Sequence, residues 1–284
     1  MQDNRKRILT FLLLTFSLSG VFYYLIISGG GMAHSKLLVA GLMWMPGVSA
    51  ILTQVYYART LRGLGWAWGH NKYNLQAYLL PIAYAFATYG LLWATGLVQF
   101  QADWAVDVLH KIGLEGLPKA VSFALAILLV GIMGTPQSML TATGEEIGWR
   151  GFLTPHLAKE TSYLKTSLIV GSIWSVWHYP ILIWGGYNNG TEAWFGLLCF
   201  TVMVIGITFA FTWFRMRGGS LWSGALIHAS HNLYIQGICD PSCVNTGIAK
   251  YLTGEFGAAL AVTAVIMAYL FWRKRDRVAA HFAT

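Results

Sequence analysis

Long apolar runs alternate with short polar segments along the chain, and eight such runs are present. Each is close to the roughly 20 residues that an α-helix needs to cross the hydrocarbon core of a bilayer. The pattern therefore predicts an all-α fold, a polytopic membrane helical bundle with about eight transmembrane helices. The predicted spans are residues 8–28, 37–57, 76–98, 120–142, 164–184, 193–214, 219–238 and 256–272.

The composition excludes an ordinary soluble enzyme. Of the 284 residues, 56% are hydrophobic and 11% are charged, whereas about 25% of residues are charged in a typical soluble domain. The longest predicted connections, 58–75, 99–119 and 143–163, are too short to form a separate soluble domain. We therefore expect residues 1–284 to form a single transmembrane domain in a lipid bilayer.

The 19 Lys and Arg residues fall mostly in alternate connections, so that both chain ends and the second, fourth and sixth connections hold 15 of them. Cytoplasmic segments of membrane proteins carry an excess of Lys and Arg. The charges therefore predict that both termini are cytoplasmic, which requires an even number of spans. The net charge of +8 is then explained by topology and by attraction to anionic lipid, and we expect no nucleic-acid partner.

Few ionisable residues lie in or against the predicted spans, where a charged side chain costs at least about 2.5–3.5 kcal/mol on insertion scales. Glu145, Glu146 and Arg150 lie at the end of the fourth span. In a helix, Glu146 and Arg150 form an i, i+4 pair in the favourable order, while Glu145 points about 100° away and can face another partner. A solvated helix end with a salt bridge is the structural alternative.

Two later spans also carry polar groups. His178 follows Trp174 by one helical turn, so the indole can pack beside the imidazole. His228 and Asn232 form another i, i+4 pair, and His231 lies on the neighbouring stripe. Such groups in an apolar helix need partners within the bundle. An interhelical hydrogen-bond cluster is the structural alternative to a functional site.

Together, a carboxylate, two imidazoles and a carboxamide from three helices suit two kinds of hydrolytic site. One is a metal site with Glu and His ligands and an open position for water. In the other, Glu145 deprotonates a water oriented by His178, while His228 and Asn232 donate to a developing oxyanion. A proton relay or an ion pathway uses the same residue types, so a proton or solute transporter is an alternative function.

The three motifs resemble those of the intramembrane protease family that groups CAAX prenyl endopeptidases with bacteriocin-processing proteins. The family pattern is Glu-Glu-x-x-x-Arg, then aromatic-x-x-x-His, then His-x-x-x-Asn, each near a membrane helix. Residues 144–153, 177–180 and 226–232 resemble the bacterial branch closely. One departure is Trp174, where the prenyl proteases usually carry Phe. The motif-bearing core extends over about residues 140–235.

This resemblance implies an intramembrane endopeptidase whose water-accessible cavity opens to the cytoplasmic side and to lipid. It implies that Glu145 activates the water, His178 positions it, and His228 and Asn232 stabilise the tetrahedral intermediate. Glu146 and Arg150 would hold the glutamate helix in register. Members are commonly described as metalloproteases, although a metal-free glutamate mechanism has also been proposed. If Zn²⁺ is used, the expected ligands are Glu145, His178 and His228, because Asn is an infrequent zinc ligand.

The expected substrate is a membrane-associated peptide or protein, either a prenylated Cys-a-a-X tail or a peptide pheromone, bacteriocin precursor or membrane-protein tail. We expect an integral protein of a bacterial plasma membrane, cleaving near the cytoplasmic face. A non-proteolytic scaffold or bacteriocin-immunity factor of the same fold is the alternative of a different class. The sequence leaves the oligomeric state open, and it leaves open whether Cys239 and Cys243 form a disulfide or remain free thiols.

Overall fold

The computed structural model describes residues 2–188, 190–245 and 247–283, and over these residues the chain folds into helices without a strand. Helical structure follows from long runs of Leu, Ala, Met and Phe, because in an apolar environment a helix satisfies every interior backbone group within one segment. The helices are α1 Gln2–Ser28, α2 Lys36–Ala58, α3 Asn71–Ala94, α4 Asp103–His110, α5 Lys119–Glu146, α6 Thr154–Ala158, α7 Tyr163–Trp184, α8 Ala193–Gly218, α9 Trp222–Tyr234, α10 Ala249–Leu252 and α11 Ala258–Arg273.

Each of the eight predicted spans corresponds to a helix. Six helical segments of the described chain are long and apolar enough to cross a membrane, namely α1, α2, α3, the segment Lys119–Ala158, α7 and α8. The last two predicted spans correspond to shorter helices, because α9 gives way to a π-helical turn at Ile235–Cys239 and α11 begins at Ala258. The predicted class, a polytopic helical membrane bundle, is confirmed.

The helices pack with α9 between α3 and α5, while α8 contacts α7 on one side and α11 on the other. Helix α1 runs along α2. Helix α5 leaves much of its surface uncovered, and Leu128, Ile132, Met133 and Leu140 are each at least 60% exposed. Exposed apolar surface of this extent needs an apolar surrounding, as a helix facing lipid has.

Both chain termini meet at one end of the bundle. Asn4 Nδ2 donates to His156 O at 3.0 Å, and Ala283 N donates to Ala158 O at 2.8 Å. Hydrogen bonds from Asn4 and then Arg5 lower the pKa of Glu160 at the same end. We call the end formed by the two termini, α6 and the connection 59–70 the basic end. The connections 29–35, 95–118, 185–188 with 190–192, and 240–245 with 247–257 form the opposite end.

Two of the 15 cations that the sequence assigns to the cytoplasmic segments are structural. Arg150 is fully buried and Arg215 is 7% exposed, and Arg215 Nε donates to Arg150 O at 2.7 Å. The other cations of this set are exposed or half-buried. The charge asymmetry between the two ends of the bundle therefore persists without these two residues.

Cys239 and Cys243 are free thiols in the structure. Cys243 Sγ contacts Cys239 O at 3.3 Å and accepts from Trp93 Nε1 at 3.3 Å. Of the two alternatives that the sequence leaves open, the structure has the reduced pair, and Cys199 is also free and buried.

Helices α2 and α5 approach each other closely through small residues, which fixes the position of Glu145. A Cβ placed on Gly144 would lie 2.8 Å from Met43 O, and one placed on Gly148 would lie 2.5 Å from Pro46 Cβ. Gly47 of α2 meets the Gly144 carbonyl in the same way, at 2.5 Å. Small residues four apart let membrane helices pack backbone to backbone. Because Glu145 lies between Gly144 and Gly148, this contact sets its place against α2.

We expect Gly148→Ala to destabilise the bundle by about 1–3 kcal/mol, because the added methyl group overpacks the contact with Pro46. Thermal unfolding of the purified protein in detergent measures the effect. Gly90→Ala in α3 is the matched control, since a Cβ there has no atom within 4 Å and alanine favours the helix. Equal midpoints for the two variants would contradict the close packing of α2 on this segment.

Candidate active site

The helix that carries Glu145 and Glu146 changes its winding directly after them. Residues Ile147–Leu153 form a π-helical segment, and every residue from 144 to 154 is buried. A π-helical turn displaces backbone carbonyls from their α-helical partners and is frequent at functional sites. Side chains bind two of these carbonyls, since Thr154 Oγ1 donates to Trp149 O at 2.8 Å and Arg215 donates to Arg150 O.

Arg150 lies on this segment with its guanidinium completely buried. Arg150 Nη1 donates to Glu146 Oε1 at 2.8 Å, which is the predicted i, i+4 pair. The guanidinium carbon lies 4.2 Å from the ring centroid of Trp174 and 3.8 Å from that of Phe211. Each desolvated cation–π contact contributes up to about 2 kcal/mol. Arg150 is therefore held between two aromatic rings and one carboxylate, and the solvated helix end considered from the sequence is wrong.

Glu146 also binds the third motif. His228 Nδ1 lies 2.9 Å from the same Oε1 atom of Glu146, and because a carboxylate oxygen accepts, Nδ1 carries the proton. The side chain of Glu146 fits here because residue 224 of α9 is glycine, where a Cβ would lie 2.7 Å from Glu146 Oε2. The contact fixes the imidazole of His228 from behind and leaves its Nε2 atom for the cavity.

Glu145 faces away from Arg150, as its place in the helix predicts. Trp174 Nε1 donates to Glu145 Oε2 at 2.8 Å, and Trp149 Nε1 reaches the same oxygen at 3.4 Å. Two indole N–H groups therefore hold one carboxylate oxygen. The sequence predicts Trp174 as a packing partner of His178, and the ring centroids of these two residues lie 6.1 Å apart. Its hydrogen bond to Glu145 was not predicted.

His178 is fixed by the backbone of its own helix. Its Nδ1 atom lies 2.9 Å from Trp174 O, and because a carbonyl accepts, Nδ1 is protonated and Nε2 is available as an acceptor. The rings of Trp177 and Phe200 pack against the imidazole, with centroids 4.7 and 5.0 Å away. The orientation of His178 therefore depends on one carbonyl and on aromatic packing.

These side chains surround one cavity of about 780 Å³, part of which is open to the surroundings. Four of the six predicted catalytic residues line it: Glu145, His178, His228 and Asn232. Glu146 and Arg150 do not line it and lie behind His228 and Glu145. The volume is within the usual range of ligand sites, about 300–1,000 Å³, and mostly apolar walls with a few convergent polar groups are typical of such sites.

The metal ligand set expected from the family resemblance is not arranged as a metal site. Among residues 2–188, 190–245 and 247–283, no group of three or more His, Cys, Asp or Glu side chains could hold a metal ion. Glu145, His178 and His228 line the same cavity but do not form such a group. No step derived below therefore involves a metal.

Sequence reasoning missed a second buried carboxylate in the same cavity. Glu255, in the connection before α11, receives His231 Nε2 at 2.9 Å and the hydroxyl of Tyr187 at 2.5 Å. The other ring nitrogen of His231 contacts the Tyr84 hydroxyl, and Gln236 Nε2 donates to that of Tyr187 at 3.1 Å. The available signal was a lone Glu between apolar residues at the start of the last span. His231 thus has the bundle partner that its sequence position requires.

The comparison with protein families matches residues 116–234 to the Type II CAAX prenyl endopeptidase Rce1-like family. The matched range contains all six predicted catalytic residues. In a comparison with curated proteins, this chain is similar to CAAX prenyl protease 2 of Methanococcus maripaludis, with 33% identity over 87 residues. The similar region covers 28% of this chain and 30% of that relative.

These findings confirm the family resemblance that the three motifs predict, for the segment that carries them. The assignment to the bacterial branch stays a prediction. The similar region covers less than a third of the relative's length, so the activity and substrate of this chain are addressed as proposals.

We expect Glu146→Gln and Glu145→Gln to differ in stability although the two residues are adjacent and both buried. Glu146→Gln leaves the Arg150 guanidinium buried without its counter-charge, which costs about 3–5 kcal/mol. Glu145→Gln keeps an oxygen that can accept from Trp174 and removes no ion pair, so the unfolding midpoint should change little. Thermal unfolding in detergent compares the two isosteric variants, and a Glu145→Gln protein as unstable as Glu146→Gln would overturn this division of roles.

Proposed function

We propose that this chain, whose residues 116–234 match the CAAX prenyl endopeptidase family, is an integral membrane endopeptidase that hydrolyses a peptide bond within the bundle. The observation that carries the proposal is the shared cavity wall of Glu145, His178, His228 and Asn232. These groups come from three helices, and three of them, Glu145, His178 and His228, are each oriented by a hydrogen bond to a neighbouring residue.

In the proposed reaction, a water lies between Glu145 and His178. Glu145 takes a proton from the water while the water oxygen attacks the carbonyl carbon of the peptide bond. The carbonyl oxygen becomes an oxyanion that accepts hydrogen bonds from His228 Nε2 and the Asn232 amide, in a site from which much water is excluded. The tetrahedral intermediate then breaks its C–N bond, and the proton on Glu145 passes to the leaving amine.

The neighbours of the cavity suit these roles. Trp174 and Trp149 hold one oxygen of Glu145, so the other oxygen can take the proton. Glu146 accepts from Nδ1 of His228, so Nε2 is left toward the cavity, where the doubly protonated imidazole donates to the oxyanion. Because Nδ1 of His178 is bound to Trp174 O, its Nε2 accepts from the water. Each group is thereby oriented before substrate binds.

Substrate class and membrane side are finer parts of the proposal. The family description suggests a CAAX-type tail. The similarity of the motifs to those of the bacterial branch suggests a peptide precursor or a membrane-protein tail. Glu145 is the residue before the last of α5, close to the basic end, and the excess of Lys and Arg there supports a cytoplasmic location for that end. We therefore propose a bond cleaved in the cytoplasmic half of a bacterial plasma membrane.

A second candidate function has one observation in its favour. The chain Tyr84, His231, Glu255, Tyr187 and Gln236 is a continuous hydrogen-bonded series, and proton pathways in membranes use such series. Proton flux into proteoliposomes, measured for wild type and His231→Ala, tests it. A transporter predicts flux that depends on His231 and no new peptide termini.

We expect peptide termini that depend on Glu145 in cells that express the protein. Cells lacking the protein are complemented with wild type or Glu145→Gln at matched expression, and the termini in membranes and medium are compared by mass spectrometry. Loss of the base should reduce turnover by at least about 10²-fold. His178→Ala and His228→Ala should also lose cleavage, provided that each purifies as a folded protein.

If cells with folded Glu145→Gln contain these peptide termini in the same amounts as cells with wild type, the protease proposal is refuted. If both forms also restore a deletion phenotype equally, a non-proteolytic scaffold or immunity factor accounts for the chain. Chelation then distinguishes the metal-free mechanism from the zinc mechanism. Activity that survives a strong chelator and is not raised by Zn²⁺ supports the glutamate mechanism. Activity that is lost with the chelator and restored by Zn²⁺ supports zinc bound by Glu145, His178 and His228.

We expect Trp174→Phe to lower kcat by about tenfold with little change in KM, because a hydrogen bond to a charged group is worth about 1.5–3 kcal/mol and the aromatic ring on Arg150 is retained. The measurement is turnover of the peptide identified above. Trp177→Phe is the matched control, since Trp177 Nε1 donates to Ser19 Oγ at 2.8 Å and not to Glu145. An equal loss of kcat in both variants would show that the Glu145 hydrogen bond is not the cause.

A further inference from the structure

Helix α5 carries a polar side chain on the side that the rest of the bundle leaves uncovered. Only 17% of the residues in its most apolar stretch are buried, whereas the corresponding share is 28–67% in the other candidate spans of the described chain. Its uncovered surface includes five exposed residues, which we call the open face: Ile132, Met133, Pro136, Gln137 and Leu140. Four of them are apolar and suit a lipid surrounding, but Gln137 does not.

Gln137 lies within the predicted membrane span and has no partner in its own chain. It is five residues inside the end of the span 120–142 that the sequence predicts, which is about 7.5 Å at a rise of about 1.5 Å per residue. None of the described residues forms a hydrogen bond with its carboxamide. An unpaired polar group in an apolar medium costs free energy, and lipid chains offer neither donors nor acceptors. The carboxamide therefore needs a partner from another molecule.

The open face also carries a hydrogen-bond acceptor. Pro136 has no N–H group, so the carbonyl of Ile132 loses the donor that the next helical turn normally supplies. In membrane helices, carbonyls freed by proline are bonded by neighbouring helices, by hydroxyl side chains or by water. The hydroxyl of Thr135, which precedes the proline, donates to Gly131 O at 2.5 Å instead. The Ile132 carbonyl is therefore open to a donor from a neighbouring helix.

This donor and this acceptor lie at the same depth on α5. Side chains of a helix point toward its N-terminus, so the carboxamide of Gln137 reaches back over the preceding turn. Helix carbonyls point toward the C-terminus, so Ile132 O faces that same turn. At about 100° per residue, Met133 and Leu140 lie along the middle of the open face, with Gln137 about 50° to one side and Pro136 about 50° to the other. The donor and the acceptor therefore flank one apolar ridge.

We propose that the open face binds a second copy of this chain, as a twofold pair of parallel α5 helices. In a twofold interface the same surface is used on both copies, so each flank of one meets the opposite flank of the other. Gln137 of each copy then donates to Ile132 O of the other, while Met133 and Leu140 pack on their counterparts. A substrate segment occupies such a face only during turnover, whereas a second copy always carries the required acceptor at the same depth.

Space for the second copy lies beside Pro136. A groove of about 590 Å³ is lined by Ile132 and Pro136 of the open face and by Tyr78 and Tyr234 from α3 and α9. The hydroxyls of the two tyrosines lie 3.2 Å apart and bond each other, so the groove requires no polar ligand. It can receive the apolar stem of Gln137 from the second copy.

Disulfide cross-linking in native membranes tests which face forms the pair. Met133→Cys and Leu140→Cys are oxidised with copper phenanthroline and compared with Val262→Cys in α11, where the native side chain is 59% exposed. The three native thiols are buried, and wild type serves as the blank. We expect covalent dimers with the two α5 variants and none above the blank with Val262→Cys. Equal yields at all three positions, or no dimers at any of them, would overturn the proposal.

A second measurement tests the hydrogen bond across the pair. The dimer fraction is measured at increasing detergent-to-protein ratios for wild type, Gln137→Leu and Pro136→Ala, because alanine restores an N–H group for Ile132 O. We expect each variant to weaken the dimer roughly tenfold, and the double variant to be no weaker than Gln137→Leu, since both changes remove the same bond. Gln76→Leu, at an exposed position of α3, is the matched control and should leave the dimer unchanged.

Dimers that are as strong in both α5 variants as in wild type would overturn the proposal. Cleavage distinguishes a second copy from a membrane segment of the substrate, because Glu145 lies on the buried side of α5 and the open face takes no part in the proposed catalysis. Full Glu145-dependent cleavage by Gln137→Leu, together with a weakened dimer, supports the second copy. A monomeric wild type in which Gln137→Leu lowers cleavage would assign the face to the substrate instead.

Discussion

The burial of one guanidinium constrains the whole site. Arg150 is inaccessible to water, and an unpaired charge in such a place costs several kcal/mol. Its requirements determine the identity of its neighbours: a carboxylate one turn back at Glu146, aromatic faces on α7 and α8 at Trp174 and Phe211, and a residue without a side chain at Gly224. Accommodating this one group brings α5, α7, α8 and α9 together, and α5, α7 and α9 carry the other five predicted catalytic residues.

A buried ion pair adds little net stability compared with well-packed apolar residues, so its value lies in what it orients. Glu146 Oε1 receives both Arg150 and His228. The arginine fixes the carboxylate, and the carboxylate fixes the imidazole. On the neighbouring stripe of α9, His231 is bound in the same manner by Glu255. Helix α9 thus presents two histidines three residues apart, each oriented by a carboxylate from a different element, with the cavity lined by both.

Much of this arrangement could be predicted from sequence, since local periodicity determines it. The eight apolar runs match helices within a few residues, and the i, i+4 spacings correctly pair Glu146 with Arg150 and separate Glu145 from them. Contacts between distant segments could not be predicted in this way. His228 and Glu146 are 82 residues apart, and Glu255 meets His231 only because α11 returns along α8. The π-helical segment was also missed, because its sequence Ile147–Leu153 has no Pro and differs little from a continuing α-helix.

The departure of this chain from the family pattern at residue 174 changes the chemistry more than the sequence suggests. A Phe at this position packs on the arginine as Trp does, but it has no N–H group, so in proteins with the usual Phe another donor or water must satisfy the carboxylate oxygen. Here two indoles, Trp174 and Trp149, bind the single atom Oε2 of Glu145. Binding only one oxygen distinguishes the two oxygens of the carboxylate, and the one left without these donors is the better proton acceptor. Under the proposed mechanism, the substitution therefore determines which oxygen of Glu145 takes the proton from water, although a search for motif matches treats it as conservative.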